Sequence, residues 1–488
     1  MLSRNGLALL DRRSFLSDVS SALGAIPLLQ LLSRDGLLAA DRPGPFRPTI
    51  DPTRPCAARP PQLSARAEQL LIIYCAGAVS QIDSWDYKPQ LLKHEGEVPP
   101  DAPKVTFMGA IGKLVPSLWE FKPRGECGKM LSDLFPHLAG LADDTCFIHS
   151  LVAKNSAHTQ GENFLCTGNV AEGYPSLGAW TTYALGSPNQ NLPAFVAIPD
   201  PRGQASAGAN DWGAGFLPGA FQATSFNSTN PPRNLTPPKG ITPRSDAVAH
   251  DLLARLNDRH LERFPGDTQL AARIASYELA GRMQASIPSL LALNNEPQHV
   301  LRDYGADSSD SIKAAYARNC ILARRLLEQQ VRVVELFNGA GNGGGTVNWD
   351  SHDKIRERHA IHAEVFDQPT AALLHDLKKR GLLEQTLVVC CSEFGRMPFM
   401  QANGTGRDHN IDGFTCWMMG AGVKAPFSYG ATDELGWKAV ENVSTLYDFN
   451  ATILQIMGFD HERLTYYHNG TERRLTDVHG HVIHDVLT

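Results

Sequence analysis

Thr386 to Gly422 reads TLVVCCSEFGRMPFMQANGTGRDHNIDGFTCWMMGAG. It opens on Leu387 to Cys391, an unbroken apolar run of the kind that forms a strand buried on both faces. The run stops at Ser392-Glu393-Phe394-Gly395-Arg396, which puts a carboxylate and a guanidinium where a buried strand emerges. A glycine-containing loop follows and delivers Asp408-His409-Asn410, and a second apolar run, Phe414 to Met419, returns to the core. Open α/β sheets bind ligands beyond the carboxyl ends of their strands. A Glu, an Arg, an Asp and a His brought there by consecutive elements point to a metal or anion site; the alternative is a loop rich in surface charge.

The same alternation extends outward. Gln69 to Cys75 is predicted as the first strand, and the turn after it carries Asp83 and Asp86. Three residues apart, the two carboxylates share one face of a helical turn. Each is either a hard oxygen ligand for a divalent cation or a helix cap. Cys146 to Leu151 is a further strand, and the polar loop beyond it holds Ser156, His158 and Thr159, where a nucleophile or a hydrogen-bonded loop residue belongs. A third strand, Val331 to Phe337, precedes a glycine run at 339–345 that lacks the Lys-Ser/Thr of a phosphate loop. Asp350 and His352 follow it, a mixed oxygen and nitrogen ligand pair. Helices are expected over 311–329 and 356–379. A pair over 246–293 is split by Pro265-Gly266, its apolar residues such as Leu252, Leu253 and Leu256 read as packing positions. The pattern is strand, polar loop, helix, repeated. Four polar clusters at strand ends favour convergence on one site over four independent surface loops.

Composition narrows the function classes. The chain has 488 residues, 42% hydrophobic and 20% charged, with a formal net charge of -6. A large core is available, and without basic excess a nucleic-acid partner has no electrostatic support. Nine cysteines with no CxxC pair argue against a thiolate zinc site and a disulfide framework. Arg12-Arg13-Ser14-Phe15-Leu16 resembles a twin-arginine export signal, so residues 1–40 are expected to be a targeting segment, the alternative being an amphipathic helix with a chance Arg pair. The apolar part is too short and polar for a membrane span. Residues 41–65 carry seven prolines and are expected to be a linker. Residues 66–488 are then one domain, with a pattern-poor loop at 200–245 that suits a lid or a cleft wall.

Taken together, Gly77…Ser80…Asp83…Asp86-Tyr87-Lys88-Pro89, Trp349-Asp350-Ser351-His352, Ser392-Glu393-Phe394-Gly395-Arg396 and Gly406-Arg407-Asp408-His409-Asn410 resemble the bacterial DUF1501 family, grouped with sulfatase-like and alkaline-phosphatase-like proteins. The resemblance implies a three-layer α/β/α sandwich with a mostly parallel sheet. It also implies a divalent metal, Zn or Ca, as one or two ions, and hydrolysis of a phosphate or sulfate ester on a small molecule or glycan. By position, the metal ligands it implies are Asp83 or Asp86, Asp350, His352, Glu393 and His409. Two departures stand out: Phe394 replaces a ligand His, and His158 occupies the nucleophile position, leaving Thr159 or Ser156 for any alkoxide. Arg396 and Arg407 are the candidates for neutralising the anion. The functional expectation is an exported metal-dependent ester hydrolase. The alternative is a non-catalytic protein on the same fold that binds anionic glycans.

Overall fold

The computed structural model describes residues 44–488 apart from 101, 233, 234, 236–238, 265, 266, 342 and 403. The expected targeting segment at 1–40, the first residues of the proline-rich stretch and the Pro265-Gly266 break lie outside the described residues.

The central sheet is built from β1 (Gln69–Cys75), β4 (Thr145–Val152), β5 (Phe195–Ile198), β6 (Thr224–Ser225), β7 (Val333–Asn338), β8 (Thr386–Cys391), β11 (Phe414–Gly420) and β12 (Phe427–Tyr429); the hairpin β2 (Val105–Thr106) and β3 (Gly109–Leu114) and the strands β9 (Gly395–Gln401) and β10 (Arg407–Asn410) form a second, smaller sheet. The central order is β12-β4-β11-β8-β1-β7-β5-β6, and a ninth short strand, Ser444–Thr445, pairs in parallel with the end of β4. β1 pairs in parallel with β8 (Leu70 with Leu387) and with β7 (Leu70 with Val333), whereas β11 runs antiparallel between β8 and β4. All seven residues of β1 and all six of β8 are buried. That is why their sequences are continuous apolar runs rather than alternating ones.

Helices cover both faces. On one side α5 (Ser311–Glu328) and α6 (Ile355–Lys379) pack with Leu71, Ile73, Val334, Leu336 and Val388 in the main core. On the other, Ile72, Tyr74, Glu335, Val389 and Cys391 point toward α1 (His158–Thr167), α2 (Leu177–Leu185) and α7 (Leu446–Ile456). The two sets alternate along the strands, as the period-two pleat requires. The result is a three-layer α/β/α sandwich with a mostly parallel sheet.

Arg47–Thr488 form one compact unit. The proline-rich stretch is therefore not a free linker from residue 47 onward. Arg59 donates to the carbonyls of Pro55, Ala57, Thr182, Tyr183 and Ala184, placing its cation at the carboxyl end of α2, where the helix dipole favours positive charge. The loop at 200–245 is tucked in as well: Trp212, Phe221 and Phe226 are buried, and β6 extends the sheet edge. The expected helix pair appears as α3 (Pro243–Arg263) and α4 (Thr268–Leu291). The packing expectation fails on α3: Leu252, Leu253 and Leu256 are each at least half exposed, because no layer of the sandwich covers that face of the helix.

Candidate metal centre

The site lies beyond the carboxyl ends of β1, β7 and β8. After β1, Gly77 adopts φ +99°, and a Cβ there would come within 2.7 Å of the Asp350 backbone nitrogen and 2.8 Å of that of Trp349. Glycine at this point lets the β1 turn pass against the segment that carries Asp350 and His352. That segment is anchored by Trp349, fully buried, whose indole N–H donates to Asn338 Oδ1 at 2.9 Å and whose backbone N–H donates to Ala76 at 3.0 Å. Gly406 makes the second close approach, since a Cβ there would overlap the His352 carbonyl at 2.2 Å. His409 sits on β10 directly opposite Arg396 on β9. His158 opens α1, entered through a turn in which Ala157 N–H donates to Asn155 Oδ1 at 2.7 Å.

These elements bring His158, Asp350, His352 and His409 together, with one ligand atom from each lying within 4.8 Å of all the others. Asp350 Oδ1 is the focus, 2.8 Å from His352 Nε2, 3.1 Å from His409 Nε2 and 3.2 Å from His158 Nε2. Ligand atoms on a tetrahedral ion with bonds of about 2.0–2.1 Å lie about 3.3 Å apart, close to these separations. His352 Nε2 and His409 Nε2 face each other at 2.9 Å. His158 Nε2, although 3.2 Å from Asp350, is out of line for a hydrogen bond and is buried without a partner. A buried ring nitrogen without a hydrogen-bond partner, set beside a carboxylate oxygen and two more imidazole nitrogens, fits a divalent cation that takes the place of the ring proton.

The surrounding groups fix ring orientation. Glu393 Oε1 accepts from His158 Nδ1 at 2.6 Å, and the Ser156 carbonyl accepts from His409 Nδ1. Both protons are therefore assigned to Nδ1, which leaves Nε2 free to ligate. Gln401 lies 2.8 Å from His352 Nδ1. Fully buried Glu393 also accepts from Tyr74 at 2.7 Å and from the Gly77 N–H at 2.8 Å. Burial opposes its charge, but these donors outweigh burial and hold its pKa below the usual value. Burial likewise opposes charge on His158, yet Asp350 and Glu393 together raise it to about 9. For His409 burial dominates, and its pKa falls to about 4. Burial works against the Asp350 carboxylate too, and Arg396 and the three histidines overcome it, holding its pKa well below the carboxylate range.

The other expected site residues are engaged elsewhere. Asp83 is fully buried against Arg407, with Nε to Oδ2 at 2.9 Å, and accepts from Ser80 and the Leu118 N–H. Asp86 pairs with Lys88 at 3.0 Å and accepts from Thr432. Neither faces the cluster, because a single 3-10 turn, Gln81–Asp83, sends the two carboxylates to different partners. Glu393 orients His158 instead of joining the ligand group. Arg407 spends its donors on Asp83 and on the carbonyls of Val115, Pro116, Met397 and Pro398. Arg396 is also fully buried, held by the carbonyls of Gly77, Ala78, Trp349 and Arg407 and paired with Asp350 at 2.8 Å. Neither arginine is open to an incoming anion. Thr159 is half-buried after His158, and neither its hydroxyl nor that of Ser156 enters the hydrogen bonds of the cluster. Phe394, where the resemblance leads one to expect a His, is fully buried and packs on the rings of His409 (4.6 Å) and His158 (5.2 Å).

One neighbour of the site, Phe107, carries no sequence signal of its own. Phe107, at the tip of the β2–β3 hairpin, stacks on His409 at 4.9 Å while remaining 52% exposed, so it covers the site on one side and faces solvent on the other. Asp408 ties that hairpin down by accepting from Thr106 and from the Met108 N–H. Among the described residues, no helix is long and apolar enough to cross a membrane.

A family model described as "Protein of unknown function (DUF1501)" matches residues 67–487. No curated protein matches the chain. Among solved structures it is similar to a protein in the alkaline phosphatase superfamily from Vibrio parahaemolyticus, at 12% identity over 86% of this chain and 73% of that one, TM-score 0.35. It is also similar to the C-terminal periplasmic domain of EcEptC from Escherichia coli, in complex with Zn, at 9% identity over 86% and 97% of the two chains, TM-score 0.33. A third is the PsFucS1 sulfatase from Pseudoalteromonas sp., at 13% identity over 81% and 68%, TM-score 0.33.

Proposed function

The chain belongs to the DUF1501 family, and we propose that it is a divalent-metal-dependent hydrolase of phosphate or sulfate esters acting outside the cytoplasm. One observation carries this reading: three imidazole Nε2 atoms and one carboxylate oxygen converge beyond the strand ends. Residues His158, His352, His409 and Asp350 would hold the ion, a set rich in imidazole and suited to Zn. When bound, a divalent ion supplies Lewis acidity toward an ester oxygen or a water.

The chain's own residues do the positioning. Glu393 retains the Nδ1 proton of His158, and the Ser156 carbonyl retains that of His409. Arg396 keeps Asp350 ionised. Phe394 and Phe107 limit water around the ligand rings. With both arginines consumed inside the fold, negative charge on the substrate falls to the metal and to the first turn of α1, whose N–H groups have no intrahelical partners.

A second reading, binding of anionic glycans without cleavage, is favoured by a specific feature: no side-chain hydroxyl of Ser156 or Thr159 joins the cluster, and His158 at the nucleophile position is committed to Glu393. Elemental analysis of wild type and His409→Ala, followed by a screen of aryl phosphates, phosphonates and sulfates, separates the readings. Stoichiometric metal lost in the variant, with metal-dependent turnover, supports the hydrolase. Metal with no turnover but saturable binding of sulfated oligosaccharide supports the second reading. A folded wild type without affinity for Zn, Mn or Ca refutes both metal-based readings.

A further inference from the structure

α3 carries an apolar stripe that the described residues leave open. Val248, Leu252 and Leu256 recur every four residues, so they stand above one another on one face of the helix. They are 64%, 58% and 52% exposed, and Leu253 beside them is 50% exposed. Ile241 and Phe264, just outside the two ends of the helix, are exposed as well. The stripe points away from the rest of the domain. His250 rests against α4, where a Cβ at Gly281 would come within 2.9 Å of its ring, and Leu252 lies two residues on, about 200° round the helix. Single exposed leucines are ordinary, but a contiguous row of them marks an interaction surface.

The charges beside the stripe select the occupant. Along α3 four arginines balance four Asp and Glu side chains, with no lysine among them. Helices that lie on lipid instead carry an excess of Lys and Arg on the polar face. One edge of the stripe reads Arg244, Asp251, Arg255, Glu262, four positions within about 40° of one another round the helix. The intervals are seven, four and seven residues, the same in both directions. Read backwards, the series has the opposite sign at every position. A second copy of the helix laid antiparallel therefore meets it with matching charges. Asp251 and Arg255 already pair at 2.7 Å within one helix, whereas Arg244 and Glu262 have no ionic partner among the described residues.

We propose that α3 is a self-association surface through which two copies of this chain pair antiparallel, about a two-fold axis beside Leu252 and Leu253. Val248 then opposes the partner's Leu256, Leu252 the partner's Leu253, and Ile241 the partner's Phe264. Arg244 meets the partner's Glu262 and Asp251 the partner's Arg255, and the two-fold axis repeats each contact. The two helix dipoles run in opposite directions, which adds to the match. A contact made by one helix from each copy falls at the small end of specific interfaces, so the dimer forms in a concentration-dependent way. No residue of the imidazole cluster belongs to α3, and the pairing stands or falls apart from the hydrolase reading.

Sedimentation velocity of the full chain over a rising concentration series tests this. A monomer–dimer equilibrium is expected at micromolar concentrations and above; a monomer throughout the series would overturn the proposal. Leu252→Ser combined with Leu256→Ser, both at half-exposed positions, is expected to weaken association by about tenfold or more with an unchanged circular dichroism spectrum. A dimer of wild-type strength in that variant would overturn the proposal. The charge order gives a check that leaves the apolar stripe intact. Arg244→Glu is expected to weaken the dimer about fivefold, and Arg244→Glu together with Glu262→Arg to restore it. Apolar aggregation without a fixed register would not respond to this exchange, and a double variant as weak as the single one would overturn the antiparallel pairing. Flotation of a monomeric wild type with phosphatidylcholine–phosphatidylglycerol vesicles would assign the stripe to a lipid surface and overturn the proposal as well.

Discussion

Replacing Glu393 with Gln keeps the shape of the side chain and removes an acceptor from a site where only donors arrive. His158 Nδ1–H and the Gly77 N–H converge on Oε1 at 2.6 and 2.8 Å, while the Tyr74 hydroxyl reaches Oε2 at 2.7 Å. At the Oε1 position the NH2 meets two N–H donors; at the Oε2 position the Tyr74 hydroxyl and Ser392 Oγ can accept from it, and the His158 and Gly77 N–H groups are left with a neutral carbonyl. At least one hydrogen bond to a charged acceptor is lost, worth about 1.5–3 kcal/mol. His158 then loses the group that fixes its Nδ1 proton, and removal of such a supporting carboxylate costs about 10–100-fold in metal affinity. The expected result is a Kd for Zn²⁺ raised by about one to two powers of ten, measured by competition with a chromogenic chelator. His409→Ala serves as the full-loss reference, and far-UV circular dichroism confirms the fold. An affinity within twofold of wild type in a folded Glu393→Gln protein would refute the assignment of Glu393 as the positioning partner of His158, and with it the ligand role of His158 Nε2.

Metal binding must displace the proton that Asp350 and Glu393 hold on His158, whose pKa stands at about 9. Below that pH, affinity is expected to rise about tenfold per pH unit, with about one proton released per ion in calorimetry across buffers of different ionisation enthalpy. The same shift works oppositely on the metal-free fold. A pKa raised from 6.5 to about 9 contributes stability that is complete below 6.5 and lost as pH climbs to 9; the loss is about 3 kcal/mol, seen as a falling urea midpoint. Arg407→Ala leaves Asp83 buried without its cation, and a cost of about 3–5 kcal/mol is expected in chemical denaturation. Phe107→Ala uncovers His409 without touching a ligand, so metal content is expected to hold while KM for an aryl ester rises; a loss of metal would show that the hairpin holds the centre together.

The strands were legible in the chain because a strand buried on both faces has to be apolar at every position, as Gln69–Cys75 and Thr386–Cys391 nearly are. Their carboxyl ends were legible too: Asp350, His352 and His409 stand out as polar interruptions beside such runs, and all three meet. Sequence proximity misled at Asp83, Asp86 and Arg407. Asp83 finds Arg407 across 324 residues of chain, and a buried ion pair consumes both side chains, which look like ligand and anion receptor when each is seen alone. The proline count at 41–65 suggested a tether, yet Arg59 has a helix end to cap and so residues from Arg47 onward are bound to the fold. Local pattern thus determines which segments must be buried, because hydrophobic burial is recorded residue by residue. Which carboxylate joins the imidazole cluster and which meets an arginine is decided only in three dimensions. The partner that settles a buried charge comes from a distant part of the chain and leaves no mark in the neighbouring sequence.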